Sequence, residues 1–270
     1  MFQVDAHHHL WDLSVRDQPW ISDDRIRRTF TIDDLAAVAR VDATVVVQTV
    51  CVEDETPELL AISDPLIAGV VGWVDLTAPD VGERLAALRS DRLVGIRHQV
   101  QGEPDPRWLC RDDVRRGLRA VADAGLVYDL LTLPPQLPAA IETVRALDDL
   151  VFVVDHLSKP PIASGELEPW ATSMRRLAAH ENVVCKLSGM VTEAAWETWT
   201  VDDLRPFAET VLEAFGPDRV MFGSDWPVCT LAASYEEVVA AAEALIGPSE
   251  REQIFGETAR RTYTLTRRAG

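Results

Sequence analysis

The chain has 270 residues, with 26 Lys and Arg against 44 Asp and Glu, a formal net charge of −18 and an apolar fraction of 47%. That length buries a full core without disulfide staples, and it suits one α/β barrel of about 250 residues. The acidity argues against a nucleic-acid partner, which wants a basic footprint. The longest apolar runs, 43–47 and 66–74, fall well short of the roughly 18 residues of a membrane helix, so no membrane partner is expected. Met1 to Asp5 show no basic segment leading into an apolar one, and Cys51, Cys110, Cys185 and Cys229 form no CxxC pair. Both features point to a reduced, cytoplasmic protein.

Eight short runs rich in Val, Ile and Leu read as strands: residues 2–8, 43–49, 67–75, 93–98, 127–131, 151–156, 183–187 and 219–223. Their near-continuous apolar character fits parallel strands covered on both faces. Helical patterns lie between them. One opens at Thr31, with Asp33 and Asp34 in its first turn, and others cover 79–89, 111–124, 137–147, 169–180, 201–215 and 234–246. A closing helix is predicted over 249–262, with Ser249 and Glu252 as a capping box. This alternation predicts a single-domain (β/α)8 TIM barrel spanning residues 1–270, with an open doubly wound sheet as the alternative.

In a barrel, chemistry gathers at the C-terminal ends of the strands. The first strand ends Asp5-Ala6-His7-His8-His9. Alternation puts His7 and His9 on one face with Asp5, and His8 on the other. Two imidazoles at i and i+2 can converge on a metal ion or an oxyanion, with Asp5 behind them; the plainer reading is a histidine-rich surface. The fourth strand ends in Arg97-His98, the sixth in Asp155-His156 with Lys159 beyond, and the eighth runs into Asp225-Trp226. Thus four of the six histidines, His7, His9, His98 and His156, fall at predicted strand ends. The eighth strand closes beside the first, bringing Asp225 near His7 and His9. The three would form either a ligand set for a divalent metal or a site where Asp225 acts as base on water.

Arg97 and Lys159 are candidates to polarise a carbonyl or hold a substrate oxygen, and equally to form structural ion pairs. Lys186 either contacts substrate or pairs with a barrel acid, and Gln48 is a candidate hydrogen-bond donor. Trp11, Tyr128 and Trp226 are candidates to wall a ring-shaped substrate, although a Trp is more often simply core. The chain has no GxGxxG, GxxxxGK, GxSxG or HExxH segment, which removes support for nucleotide-cofactor, P-loop, serine-hydrolase and zincin chemistry.

Taken in order, five segments resemble the amidohydrolase superfamily. They are Asp5-Ala6-His7-His8-His9-Leu10-Trp11-Asp12, Gly95-Ile96-Arg97-His98, Asp155-His156-Leu157-Ser158-Lys159-Pro160, Lys186-Leu187-Ser188-Gly189 and Gly223-Ser224-Asp225-Trp226-Pro227. The resemblance is to its amidohydrolase 2 or sugar-lactonase-like branch, with L-fuconolactonase and L-rhamnonolactonase relatives, and it spans almost the whole chain. It implies a (β/α)8 barrel that hydrolyses a lactone ester. His7, His9 and Asp225 match positions that hold a single divalent metal, zinc foremost. Arg97-His98 stands where a two-metal centre needs a bridging Lys or Glu, and some members of the branch work without metal. The resemblance implies that Asp225 takes a proton from the attacking water while His7, His9, Arg97 and His98 stabilise the oxyanion. His156 would help there or protonate the leaving alkoxide, and Trp11, Tyr128, Lys159 and Trp226 would shape the pocket. A sugar-derived lactone is the expected small-molecule substrate, with a non-sugar carboxylated lactone as a near alternative. A metal-dependent decarboxylase of an aromatic or muconate-type acid and a catalytically dead binding barrel are the competing readings.

Overall fold

The structure, a computed structural model, describes residues 1–266. Its eight strands are β1 (Val4–His8), β2 (Ala43–Val47), β3 (Ile67–Gly72), β4 (Leu93–His98), β5 (Val127–Leu130), β6 (Phe152–Val154), β7 (Val183–Leu187) and β8 (Val220–Phe222). They pair in parallel and in sequence order. The order that strand–helix alternation predicts is therefore the observed one, and the open sheet is excluded. Closure runs through backbone just beyond the last strand: Asp225 N–H donates to His7 O (2.8 Å) and His9 N–H donates to Trp226 O (2.7 Å). The bonds that seal the barrel are thus the ones that set Asp225 beside the two histidines.

Helices α1 (Ile32–Val38), α2 (Glu55–Ala61), α3 (Val81–Ala87), α4 (Asp112–Asp123), α5 (Leu137–Ala146), α6 (Trp170–Ala178), α7 (Met190–Glu193), α8 (Val201–Phe215), α9 (Tyr235–Leu245) and α10 (Thr258–Thr262) surround it. Thr31 caps α1 in a reciprocal box with Asp34, which satisfies two orphan donors of the first turn. The short α2 and α7 were not expected, because seven and four residues carry too little periodicity to register. The closing segment is helical but includes a π-helical stretch, Gln253–Glu257. At its start Glu250 accepts the Gly247 N–H at 2.6 Å, in place of the expected Ser249–Glu252 box. No helix among the described residues is long and apolar enough to cross a membrane.

Two apolar layers follow from strand alternation. Lys186 on β7 bonds Asp129 on β5, which is not its neighbour in the sheet, so both side chains point into the lumen. Two residues earlier on those strands, Val184 and Val127 join Val4, Ala6, Val45, Val47, Val71, Val153 and Met221 in an inner cluster. Ala259, Tyr263 and Leu265 of the closing segment belong to the same cluster and plug the N-terminal end of the barrel. The alternate residues, among them Ile96, Tyr128, Phe152 and Phe222, pack outward against the helices.

Candidate active site

Four side chains meet at the C-terminal mouth. His7 Nε2 lies 3.2 Å from His9 Nε2, and Asp225 Oδ1 lies 3.8 Å from His7 Nε2, 3.4 Å from His9 Nε2 and 3.7 Å from His156 Nε2. His9 Nδ1 sits 2.8 Å from Val47 O, so it carries the proton and leaves the Nε2 lone pair facing the centre. His156 Nδ1 is held by Ser188 Oγ at 2.9 Å. Burial would raise the Asp225 carboxyl, but the imidazoles of His156 and His9, with Lys159, more than offset it, leaving the group below its usual range and ionised. Burial pushes the His156 imidazole down to about 4, against the opposing pull of Asp225 and Asp155.

Beneath them lies a buried ionic cluster. Lys186 Nζ is 2.5 Å from Asp129 Oδ2, 3.0 Å from Asp155 Oδ1 and 3.0 Å from His7 Nδ1. Arg97 spends its Nε and one terminal nitrogen on Gln48 and donates from the other to Asp155 Oδ2 at 3.0 Å. That last nitrogen is also 3.4 Å from His7 Nε2, so its second N–H is aimed at the reaction centre. Burial opposes ionisation of Asp155, yet Lys186, His7 and Arg97 together hold it well below the ordinary carboxylate range. Lys186 is therefore the partner of barrel acids, and Gln48 serves as an acceptor that orients Arg97.

The arrangement departs from simple alternation twice. The β1–β2 register slips between Asp5 and His8. Val4 and Ala6 point inward below the slip and His7 and His9 above it, so Asp5 does not stand behind the histidines. It accepts the Ser224 N–H (2.9 Å) and the His7 N–H (3.2 Å) instead. Burial raises its carboxyl to about 6. His8 does face away from the centre, against Thr44 Oγ1 at 3.0 Å. The second departure is at β6, where His156, Leu157, Ser158 and Lys159 all have positive φ, between 51° and 55°. This left-handed turn swings His156 into the mouth beside the inward Asp155.

The mouth opens into a pocket of about 220 Å3 lined by His9, Trp20, Thr49, Arg97, Gln99, Gln101, Leu131, His156, Lys159, Asp225 and Val228. Four residues expected there are elsewhere. His98 follows the inward Arg97 and so faces out, stacked on Trp108 with ring centroids 4.2 Å apart. Trp73 Nε1 donates to its Nδ1 at 3.0 Å, and its Nε2 lies 2.7 Å from Glu103 Oε1. Tyr128 precedes the inward Asp129 and is buried in the outer layer. Trp226 follows Asp225 and packs edge-on against Phe30. Trp11 also lies against Phe30, its indole N–H bonded to Arg28 O at 2.6 Å. Trp20, Gln99 and Gln101 were missed: Trp20 and Gln99 sit in loops and Gln101 in the single 3-10 turn Val100–Gly102, where no periodicity marks them. Asp129 and Asp155 were legible from parity with Lys186, as acids one expects in the lumen of a barrel.

His7, His9 and Asp225 form one of two acid–imidazole groups close enough to share an ion; the other is His7, Asp155 and His156. In the second group Asp155 is already committed to Arg97 and Lys186. The first fits zinc, because ligands about 2.0–2.1 Å from a tetrahedral ion stand roughly 3.3 Å apart, close to the observed 3.2, 3.4 and 3.8 Å; His7 would ligate through Nε2 with its proton on Nδ1, 3.3 Å from Asp155 Oδ1.

The amidohydrolase family model matches residues 4–265. An L-fucono-1,5-lactonase of Burkholderia multivorans is 40% identical, with 97% of this chain and 96% of that protein aligned. An L-fucono-1,5-lactonase of Burkholderia ambifaria is 37% identical, over 100% and 98% of the two chains. A crystal structure of a B. multivorans amidohydrolase with bound zinc superposes with a TM-score of 0.93 at 39% identity, covering 98% of this chain and all of that one. A 5-carboxyvanillate decarboxylase of Sphingomonas paucimobilis, at 12% identity and a TM-score of 0.66 with 98% of this chain covered, shares the fold alone. With its barrel order, strand-end histidines and closing aspartate, the chain belongs to the amidohydrolase family.

Proposed function

We propose that the protein hydrolyses a sugar-derived lactone, an aldonolactone, to the corresponding sugar acid. The observation that carries this reading is an ionised Asp225 set against three imidazoles at the floor of a small polar pocket. The near-full-length likeness to two L-fucono-1,5-lactonases supports it. Asp225 takes a proton from water as the water oxygen bonds to the lactone carbonyl carbon. The Arg97 N–H that faces the centre beside His7 Nε2 stabilises the negative oxygen. His156, fixed by Ser188 Oγ, sets its Nε2 3.7 Å from Asp225 Oδ1. When the ring C–O bond breaks, Asp225 returns its proton to the leaving alkoxide. A divalent ion held by His7, His9 and Asp225, zinc by its donor set, would add Lewis-acid polarisation of the carbonyl.

The charges at the pocket favour a neutral polyhydroxy substrate over a carboxylated one. Its two lining cations both have carboxylate partners, Arg97 with Asp155 at 3.0 Å and Lys159 with Glu193 at 3.6 Å. Thr49, Gln99 and Gln101 offer neutral hydrogen-bonding groups suited to hydroxyls. The four cysteines are free, in keeping with a cytoplasmic setting.

The test is a pH-indicator assay across 1,4- and 1,5-aldonolactones, with and without chelator. Acid release from at least one lactone is expected, and loss of activity on chelation would assign the metal a working role. Proton uptake with CO2 release from an aromatic acid, and no lactone turnover, would replace this reading with the decarboxylase.

A further inference from the structure

The reaction centre is braced from the opposite end of the barrel. Tyr263 ends α10 and enters the lumen from below, where it is almost fully buried. Its hydroxyl lies 2.9 Å from Asp129 Oδ1 and 3.0 Å from Oδ2. A phenol donor shared between both oxygens fixes the rotation of that carboxylate. Asp129 in turn takes Lys186 Nζ at 2.5 Å. Lys186 Nζ is hydrogen-bonded to Asp129 Oδ2 and lies 3.0 Å from both Asp155 Oδ1 and His7 Nδ1. Where Asp129 sits therefore decides where Nζ sits, and Nζ is 3.0 Å from His7 Nδ1. Within the described residues the hydrogen-bond donors to the Asp129 carboxylate are Lys186 and Tyr263. Removing the hydroxyl would leave a buried carboxylate with an unsatisfied oxygen, free to turn and drag the ammonium with it.

We propose that Tyr263 is a positioning residue: its hydroxyl holds Asp129 onto Lys186, and through that pair orients His7 at the far end of the lumen. The closing segment is then part of the catalytic machinery as well as a plug. Leu265 beside it belongs to the same inner cluster but is only a plug, an apolar side chain with no polar contact to the network.

The test compares Tyr263→Phe, which keeps the ring and its packing, with Leu265→Ala, which loosens the plug and leaves Asp129 untouched. Its kinetic arm rests on the lactone-opening reading; its structural arm does not. Tyr263→Phe is expected to lower kcat about tenfold, as for loss of one hydrogen bond to a buried charge, with KM changed less than about twofold. In crystal structures of the variants, Lys186 Nζ should withdraw from His7 in Tyr263→Phe and keep its contact in Leu265→Ala. Leu265→Ala should lower Tm without the kcat loss. Equal kcat losses in the two variants, or a Lys186–His7 contact unchanged in Tyr263→Phe, would overturn the proposal. If the parent opens no lactone, the function reading fails, while the crystal comparison still decides the role of Tyr263.

Discussion

Asp225 combines two properties that conflict in most sites, deep burial and a retained negative charge. It keeps the charge because His156, His9 and Lys159 face it and outweigh the penalty of burial. Asp225→Asn keeps the shape and removes the base, so turnover should fall about 10²–10⁴-fold with the circular dichroism spectrum unchanged. A variant with near-parental kcat would end the mechanism. His8 gives a prediction of a different kind. Burial, followed by the neighbouring His9, pushes its imidazole down from 6.5 to about 3. The unfolded chain binds that proton first, so this contribution to stability is complete above pH 6.5 and is lost as pH falls toward 3. Between about pH 7 and about pH 5 it amounts to something on the order of 2 kcal/mol. His8→Gln retains an amide for Thr44, and in urea denaturation its stability should drop less over that interval than the parent's. Equal drops would show that His8 does not contribute.

At the scale of elements, the turn after β6 is the costliest piece of backbone near the site. Four successive non-glycine residues in the left-handed region cost about 1–2 kcal/mol each. Surrounding contacts hold them there. Ser158 Oγ pairs with Thr132 Oγ1 at 2.8 Å, Leu157 O accepts from Trp170 Nε1 at 2.7 Å, and Ser188 Oγ holds His156. Gly189, in the turn between β7 and α7, completes the clamp: at φ +63°, a Cβ there would stand 2.6 Å from His156 Nδ1. Gly189→Ala should therefore push the imidazole out of line and lower kcat/KM by about a hundredfold, as misplacement by about 1 Å does. Steady-state kinetics with a parallel melting curve would check it, and unaltered kinetics would show that the ring has room to move.

Across the whole molecule the chain carries a net charge of −18, while the lumen balances Asp129 and Asp155 against Lys186 and Arg97. Surface repulsion is screened by salt and the buried cluster is not. Raising salt from about 10 to about 150 mM, which shortens the Debye length from about 30 to about 8 Å, should raise Tm. A Tm that falls would mean that surface ion pairs such as Arg16–Glu58 outweigh net repulsion.

The division between what was readable and what was not follows the range of the interactions involved. Strand composition and spacing determined the eight parallel strands, the pairing of His7 with His9 and the arrival of Asp225 beside them, because period-two alternation is a local property. The same parity, applied strictly, places His98, Tyr128 and Trp226 outside once Arg97, Asp129 and Asp225 are inside. Tertiary structure alone decided the slip in β1 that turns Asp5 away, the left-handed turn that brings His156 in, and the chain from Tyr263 to His7. The slip and the turn break the local rule at a cost in energy, and the chain joins residues far apart in sequence. All three are held by contacts that exist only when the barrel has closed.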